Sequence, residues 1–146
     1  MTLITNKKAL FNFEILEKLE AGLVLHGFEV KSLRLGRGSL AGARALVRGG
    51  EAFVVGMHIP PWQEKNAPKE YDPERSRKLL LSKKEAARVA DAEARRGLTA
   101  VPLSVYSKGR NLKMSIGIAR GKKKHDKREA IKRRDVERDL RRALKK

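Results

Sequence analysis

Residues Leu98–Ala119 read LTAVPLSVYSKGRNLKMSIGIA and carry a clear β-sheet pattern. From Leu112 to Ile118 every second residue is apolar, and the residues between them are polar or small. Alternation with a period of two is typical of a strand with one buried face. Together with its apolar first half, the stretch predicts a β-hairpin. Pro102 cannot donate a ladder hydrogen bond, so its strand should lie at an edge or carry a bulge.

A second hairpin is predicted upstream of this one. Gly49-Gly50 can adopt the positive φ angles of a tight two-residue turn, and the strand-like segments Ala45–Arg48 and Glu51–Ile59 flank it. A further strand is predicted from Phe11 to Leu25, where alternate positions are largely apolar. Gly22 suggests a bend or bulge within it. The inner part of this segment, EILEKLE, is equally compatible with a helix.

Between the hairpins, the segment Ser82–Gly97 predicts a helix. Ser82 and Glu85 form an S-x-x-E capping box, Ala and charged residues fill the interior, and Gly97 is a stop signal. The segment Pro60–Arg77 holds four of the five prolines and is expected to be a long polar loop. Five or six strands with an inserted helix predict a mainly β fold. A small closed or nearly closed barrel would suit them, and the oligonucleotide-binding fold is one version of it.

The charge of the chain indicates its class of partner. The chain has 35 Lys+Arg against 17 Asp+Glu, a formal net charge of +18. Such an excess favours a polyanion, because Lys and Arg gain by displacing counterions from phosphates. Cysteine is absent, which fits a reducing cytoplasm and removes disulfides and thiolate zinc sites. The N-terminal residues contain no long apolar run, so neither a signal peptide nor a membrane span is expected.

The basic excess is concentrated towards the C-terminus. From Arg120 to Lys146 there are 14 basic and five acidic residues. Half of the net charge therefore lies in less than a fifth of the chain. We predict a globular body over residues 1–120 and a basic tail over residues 121–146.

The residues offer little support for catalysis or metal binding. The three histidines, His26, His58 and His125, lie far apart without Cys companions, so neither a metal site nor a cofactor is expected. The stretch GRGSLAG, Gly36–Gly42, resembles a phosphate-binding loop, but its third glycine is misplaced and no βαβ unit surrounds it. A plain turn is the favoured interpretation. No catalytic motif is evident, and we expect a binding protein rather than an enzyme.

Three motifs are specific enough to identify a family. They are G-x-EVKSLR (Gly27–Arg34), RKLLL (Arg77–Leu81) and RGKK-x-x-DKR (Arg120–Arg128). With NKKA at Asn6–Ala9 and several longer stretches, they resemble the small protein B (SmpB) family almost end to end and in the family's order. This family comprises the transfer-messenger RNA binding proteins of bacterial ribosome rescue. The chain departs from the pattern in its short N-terminal extension and in its Trp62–Tyr71 loop.

The resemblance implies both a fold and a set of partners. It implies an oligonucleotide-binding-type β-barrel with flanking helices that binds the tRNA-like domain of transfer-messenger RNA and delivers it to stalled ribosomes. By the family's motifs, Asn6, Glu20 and Leu80 match positions important for the RNA contact. The segment His125–Arg128 matches tail residues needed at the decoding centre of the small ribosomal subunit. The implied partners are therefore transfer-messenger RNA and the ribosome, and we expect a monomer located in the cytoplasm.

The residue types suggest how the RNA contact is divided. The cations able to neutralise phosphates are Lys7, Lys8, Arg75, Arg77 and Lys78. For any one of them, a scattered solvated charge is an equal alternative. Glu20 repels phosphate, so it would accept hydrogen bonds from a base edge or a 2′-OH, or else pair with a nearby Lys or Arg. Leu80 would pack under a base or in the core, and the letters KLLL alone favour the core.

The tail predicts a helix with two different faces. At ~100° per residue, five cations between Lys127 and Lys145 fall within about 60° of one another, and Val136 and Leu140 belong to a narrow apolar stripe opposite. Alone this segment buries too little to become ordered, so we expect it to be disordered when free and helical when bound in the empty mRNA channel. The residues assigned to the decoding centre and channel are Gly121, Lys122, Lys123, Lys124, His125, Asp126, Lys127, Arg128, Arg134, Arg138 and Arg141.

Two other functions are compatible with the composition. One is a structural ribosomal protein with a barrel body and a basic extension. The other is a nuclease or RNA-modifying enzyme with an unrecognised site. Co-purification distinguishes them, because an adaptor would carry one structured small RNA and a structural protein would reside in every ribosome.

Overall fold

Seven strands and three helices make up the part of the chain that the structure describes. The structure is a computed structural model, and it describes residues 1–63 and 68–122. The strands are β1 (Thr2–Thr5), β2 (Phe13–Leu23), β3 (Arg44–Arg48), β4 (Glu51–Val55), β5 (Arg77–Leu80), β6 (Leu98–Lys108) and β7 (Asn111–Gly121). The helices are α1 (Lys7–Asn12), α2 (Gly27–Arg34) and α3 (Lys83–Ala94).

One antiparallel sheet contains all seven strands, and its pairings close into a ring. The predicted β6–β7 hairpin is confirmed, with pairs running from Leu98 opposite Arg120 to Lys108 opposite Asn111. Strand β7 also pairs with β2 along most of its length. The strand order in the ring is β6–β3–β4–β5–β2–β7, and β7 pairs again with β6. Strand β1 also pairs with β6. The prediction of a mainly β fold with helices is confirmed.

The turn at Gly49-Gly50 and the bulge at Pro102 follow the local chemistry of the chain. Of the two alternatives predicted for the proline, the bulge is confirmed, because the register between β6 and β7 shifts between Pro102 and Ser104. The edge position is wrong, because β6 has partners on both sides. Gly49 and Gly50 adopt φ angles of +60° and +78° and join β3 to β4 as predicted. Strand β4 ends at Val55, earlier than predicted, because the chain turns at the next residue.

The segment EILEKLE is a strand, and its helical alternative is wrong. It lies within β2 and pairs with β7 except at Leu16, where the register shifts between Ile15 and Glu17. The irregularity is therefore not at Gly22, where a bend or bulge was expected. Cross-strand pairing with a long neighbour decides the conformation of a segment whose own periodicity is ambiguous. The residues just before β2 form the short helix α1, which the pattern did not predict.

Helices α2 and α3 both begin with side-chain caps. The Ser82 hydroxyl accepts the N–H of Glu85 and the Glu85 carboxylate accepts the N–H of Ser82, each at 3.2 Å, so the predicted capping box of α3 is confirmed. Helix α2 was not predicted from the pattern. Its first turn is held by the Glu29 carboxylate, which accepts the N–H of His26 at 2.8 Å. Within residues 1–63 and 68–122, none of the helices is long and apolar enough to cross a membrane.

The sheet buries residues on both of its faces. The main core fills the inside of the ring and includes Val54, Met114 and Ile116. A smaller cluster lies on the outer face of β2, β6 and β7, where Ala9 of α1 packs against strand residues such as Leu103. Helix α1 therefore covers one end of this outer face.

The body extends slightly beyond the boundary placed in the sequence. Gly121, assigned to the tail, is the last residue of β7 and pairs with Phe13. The N–H of Lys122 donates to the carbonyl oxygen of Asn12 at 2.9 Å. These two residues belong structurally with the body. The predicted order of the tail and its assigned residues from Lys123 to Arg141 lie outside the described residues.

Candidate nucleic-acid interface

Strand register brings Glu20 and Leu80 together on the outer face of the sheet. Gly22 of β2 lies directly opposite Leu80 of β5. Glu20 is two residues before Gly22, and residues two apart along a strand share a face. Leu80 is 56% exposed, whereas Leu79 beside it is buried. The expectation that Leu80 packs in the core is therefore wrong, and the side chain is available to a partner.

The Glu20 carboxylate is held in place from the neighbouring hairpin. The Tyr106 hydroxyl donates to one of its oxygens, and Lys108 Nζ lies 3.2 Å from the other. The Tyr106 and then the Lys108 hydrogen bond lower the pKa of Glu20, so the group is a carboxylate at neutral pH. Its side chain remains 44% exposed. Glu20 thus has a protein partner and also an accessible face with free acceptor capacity.

Sequence reasoning missed Tyr106 and Lys108. They are 86 and 88 residues away from Glu20 along the chain, and they reach it because β7 pairs with β2 on one side and with β6 on the other. The burial of Tyr106 and its hydrogen bond to Glu20 raise the pKa of the phenol to about 12. Glu20 is therefore anchored by a donor that stays protonated.

Replacing Tyr106 by Phe is expected to raise the pKa of Glu20 towards its ordinary value of 4.5. The change removes the largest of the interactions that lower this pKa and leaves the aromatic ring in place. NMR titration of the Glu20 side-chain carboxyl group in the two proteins measures the shift. An unchanged melting temperature is the control for an intact fold. An unchanged Glu20 titration would show that Tyr106 does not hold the carboxylate.

Cationic side chains lie on the same outer face as the Glu20–Leu80 pair. Lys78 is on the same face of β5 as Leu80 and is half exposed beside Glu51, with Nζ 3.2 Å from its carboxylate. Lys113 of β7 lies opposite Gly22. Lys7 and Lys8 are exposed on α1, which packs against the outer face of the same strands. An anionic backbone crossing this face would meet several cations in succession.

Arg77 does not belong to this surface, and its assignment as a phosphate ligand is wrong. Its side chain is fully buried. The guanidinium donates to the Glu29 carboxylate at 2.8 Å and to the carbonyl oxygens of Met57 and Pro73 at 2.7 and 2.8 Å. Arg75 donates to the same carboxylate and retains 28% side-chain exposure. Both arginines serve a buried ion-pair cluster rather than an open cationic surface.

Asn6 is also internal. Its side-chain nitrogen donates to the carbonyl oxygens of Leu40 and Pro102 at 3.1 and 2.9 Å, and its oxygen accepts the N–H of Ala9 at 3.1 Å. The residue is 5% exposed. A direct side-chain contact from Asn6 to RNA is therefore excluded in this conformation. Asn6 instead caps α1 and so positions Lys7 and Lys8.

The ion-pair cluster lies beneath the loop that leads into β5. Burial acts to raise the pKa of Glu29, but hydrogen bonds from Arg75, the backbone and Tyr71 outweigh it and lower the pKa to about 2. Tyr71 also donates to the carbonyl oxygen of Ile59 at 2.9 Å. The cluster joins α2 to the strand that carries Lys78 and Leu80, and thereby fixes one side of the candidate interface.

The SmpB family model, described as SmpB protein, matches residues 3–146. The chain belongs to the SmpB family. A relative named SsrA-binding protein from Gloeothece citriformis is 50% identical over 140 residues, which cover 96% of this chain and 90% of the relative. An SsrA-binding protein from Chelativorans sp. is also 50% identical, over 99% of this chain and 93% of the relative.

A solved structure of this family has a similar fold. It is described as "tmRNA-SmpB: a journey to the center of the bacterial ribosome", and it aligns with a TM-score of 0.70 at 40% identity. The alignment covers 90% of this chain and 95% of the solved chain. The SmpB motif G-x-EVKSLR coincides with α2 and the buried Glu29, and RKLLL coincides with β5 and the exposed Leu80.

Proposed function

We propose that this chain is an RNA-binding adaptor that binds the tRNA-like domain of transfer-messenger RNA and delivers it to stalled ribosomes. The observation that carries the proposal is the exposed Glu20–Leu80 pair, on a face that also bears cations, in a member of the SmpB family. Its relatives are named SsrA-binding proteins, and the similar solved structure is described with transfer-messenger RNA and the ribosome.

The surface supports recognition of a folded RNA by a division of roles. Lys7, Lys8 and Lys78 contribute sequence-independent attraction to phosphates. The anchored Glu20 carboxylate supplies a fixed acceptor for a 2′-OH or a base edge. Leu80 supplies an apolar contact that excludes water from that hydrogen bond. Because Tyr106 already orients Glu20, little side-chain entropy is lost when the RNA binds.

The finer features of fold and location are part of the same proposal. We assign the closed ring of strands to the oligonucleotide-binding type of barrel, because six antiparallel strands close on themselves and present one outer face to a polyanion. The protein acts as a binding adaptor without a cofactor, as a monomer, in the cytoplasm where ribosomes work. The basic tail from Lys123 onwards is the part that reaches the decoding centre and the mRNA channel.

The proposal predicts that Glu20→Ala weakens binding to the tRNA-like domain more than binding to an unrelated RNA. The loss of a charge-assisted hydrogen bond corresponds to on the order of 1–3 kcal/mol, or roughly 5- to 150-fold in affinity. Titrations against both RNAs at two salt concentrations measure the difference.

Two further variants make this test specific. Glu14→Ala removes an exposed carboxylate from the same strand, one paired with Arg120 instead of Tyr106, and should leave the preference intact. Lys7→Ala should weaken binding to both RNAs by a similar factor and reduce the salt dependence of binding. If Glu20→Ala weakened binding to both RNAs equally, the role of Glu20 would be purely structural and the proposed interface would be wrong.

The alternative function is that of a structural component of the ribosome. It would purify in equal amounts with every ribosome, whereas the adaptor would purify with one small structured RNA. Sequencing the RNA that co-purifies with the protein separates the two.

A further inference from the structure

Gly22 lies on the outer face of β2, where a side chain would press against Leu80 of β5. A Cβ atom built on Gly22 would lie 3.1 Å from Leu80 Cβ, 3.3 Å from its Cδ1 and 3.5 Å from its Cγ. Atoms of the Leu80 side chain thus lie over the Gly22 backbone. Gly22 is accordingly buried, although Glu20 and Val24 on the same face are exposed.

The backbone conformation of Gly22 does not require glycine. The positive-φ glycines of residues 1–63 and 68–122 do not include Gly22, so an alanine there is free of backbone strain. In a strand, glycine is otherwise unfavourable, because it adds no packing and loses more backbone entropy than other residues. The close approach of Leu80 is therefore the physical reason for glycine at this position.

We propose that Gly22 is a positioning residue of the RNA interface. By lacking a Cβ, it lets the Leu80 side chain lie across β2, next to the Glu20 carboxylate two residues away. The apolar contact and the hydrogen-bond acceptor then present one continuous surface to the RNA. This inference rests on the proposed function and adds a specific residue to it.

A methyl group at residue 22 would shift Leu80 on the outer face. The closest approach is to Leu80 Cβ, which rotation of the side chain does not move, so β2 and β5 must separate slightly at this cross-strand pair. The 56% exposed remainder of the Leu80 side chain would turn away from Gly22 and change its position relative to Glu20. Gly22→Ala should therefore lower RNA affinity, with a modest loss of melting temperature.

A double-mutant cycle tests whether Gly22 acts through Leu80. Affinity for a transcript of the tRNA-like domain, affinity for an unrelated RNA and melting temperature are measured for Gly22→Ala, Leu80→Ala and the double variant. Each single change should lower the affinity for the tRNA-like domain by roughly tenfold. In the double variant the second change should lower it by less than about twofold more, because the effects of coupled residues are not additive. Gly27→Ala is the matched control, since a Cβ there meets nothing within 4 Å and its φ is not positive.

Leu80→Ile is a second variant that does not depend on how well Gly22→Ala folds. Isoleucine keeps the apolar volume and favours strands, but it branches at the Cβ that lies closest to Gly22. It should bind the specific RNA several-fold more weakly than leucine does. Equal binding by Leu80→Ile would overturn the inference, because the placement of the side chain would then be irrelevant.

The outcomes separate this inference from the proposed function. If the unmodified protein shows no preference for the tRNA-like domain, both are overturned. If it shows the preference and Gly22→Ala retains it, the inference alone fails. The inference also fails if Gly22→Ala lowers the RNA affinity of the Leu80→Ala protein as much as it lowers that of the unmodified protein.

Discussion

Replacing Glu29 by Gln is expected to destabilise the body by about 3–5 kcal/mol, the usual cost of leaving a buried charge without its partner. The Glu29 and Arg77 side chains are both fully buried, and the two ions are 2.7 Å apart at their closest atoms. A neutral amide cannot compensate the guanidinium, whose surroundings exclude water. Urea unfolding at pH 7 measures the loss of free energy.

Exposed carboxylates provide the matched control for this experiment. Glu14→Gln removes one partner of an ion pair whose side chains are 53% and 57% exposed, and it should cost less than about 1 kcal/mol. Equal effects of the two substitutions would show that the Glu29 cluster is as solvated as a surface pair.

The lowered pKa of Glu29 predicts how the stability of the protein depends on pH in acid. The pKa of Glu29 is lowered from 4.5 to about 2 in the folded protein, so its stabilising contribution is fully present above pH 4.5. It is lost as the pH falls towards 2, because the folded state must then take up a proton that the unfolded state already holds. The stability difference between the unmodified protein and Glu29→Gln should therefore shrink between pH 4.5 and pH 2. A difference that does not depend on pH would mean that packing, and not the carboxylate charge, is responsible.

Local patterns predicted the parts of the fold that rest on local chemistry. The hairpin over Leu98–Ala119, the turn at Gly49-Gly50 and the capping box at Ser82 each depend on residues close together in the chain. Helix α2 could not be predicted in this way, since it has eight residues and its buried Glu29 is paired with arginines 46 and 48 positions away.

The same limit applies to the candidate interface. The family resemblance selected Glu20 and Leu80, but their proximity arises from the register that places Gly22 opposite Leu80. Residue type alone suggests that an arginine is exposed, so the burial of Arg77 could be seen only after the loop, α2 and β5 were placed together. The internal bonding of Asn6 was hidden for the same reason, because its partners Leu40 and Pro102 are 34 and 96 residues distant.

Removing residues 123–146 is expected to separate RNA binding from ribosome rescue. The cut follows Lys122, whose N–H still bonds to Asn12, so β7 keeps its pairing with β2 and β6. The proposed interface lies wholly within the body. The shortened protein should therefore bind the tRNA-like domain nearly as well as the full chain, with a weaker salt dependence because cations are lost. Rescue, measured as the addition of a peptide tag to chains on stalled ribosomes, should be abolished.

A scrambled tail distinguishes a specific tail from a merely basic one. A variant with the residues of 123–146 in random order keeps the length and net charge but loses the predicted two-faced pattern. If charge alone were sufficient, this variant would tag stalled peptides as well as the unmodified protein. We expect it to fail while its RNA affinity returns to that of the full chain. An equal loss of RNA binding and tagging in the shortened protein would contradict the division between body and tail.

Leu140→Pro is the sharper test, because it changes one residue of the predicted tail helix and leaves every cation in place. Proline within a helix costs about 3 kcal/mol or more, so the helix should not form in the mRNA channel. Leu140→Ala removes the apolar contact but favours a helix, and its tagging should be intermediate. If the tail occupies the mRNA channel as proposed, mRNA and tail compete for one negatively lined space. Leu140→Pro should therefore bind transfer-messenger RNA normally and fail at rescue. Normal tagging by this variant would show that rescue does not require an ordered tail helix in the empty mRNA channel.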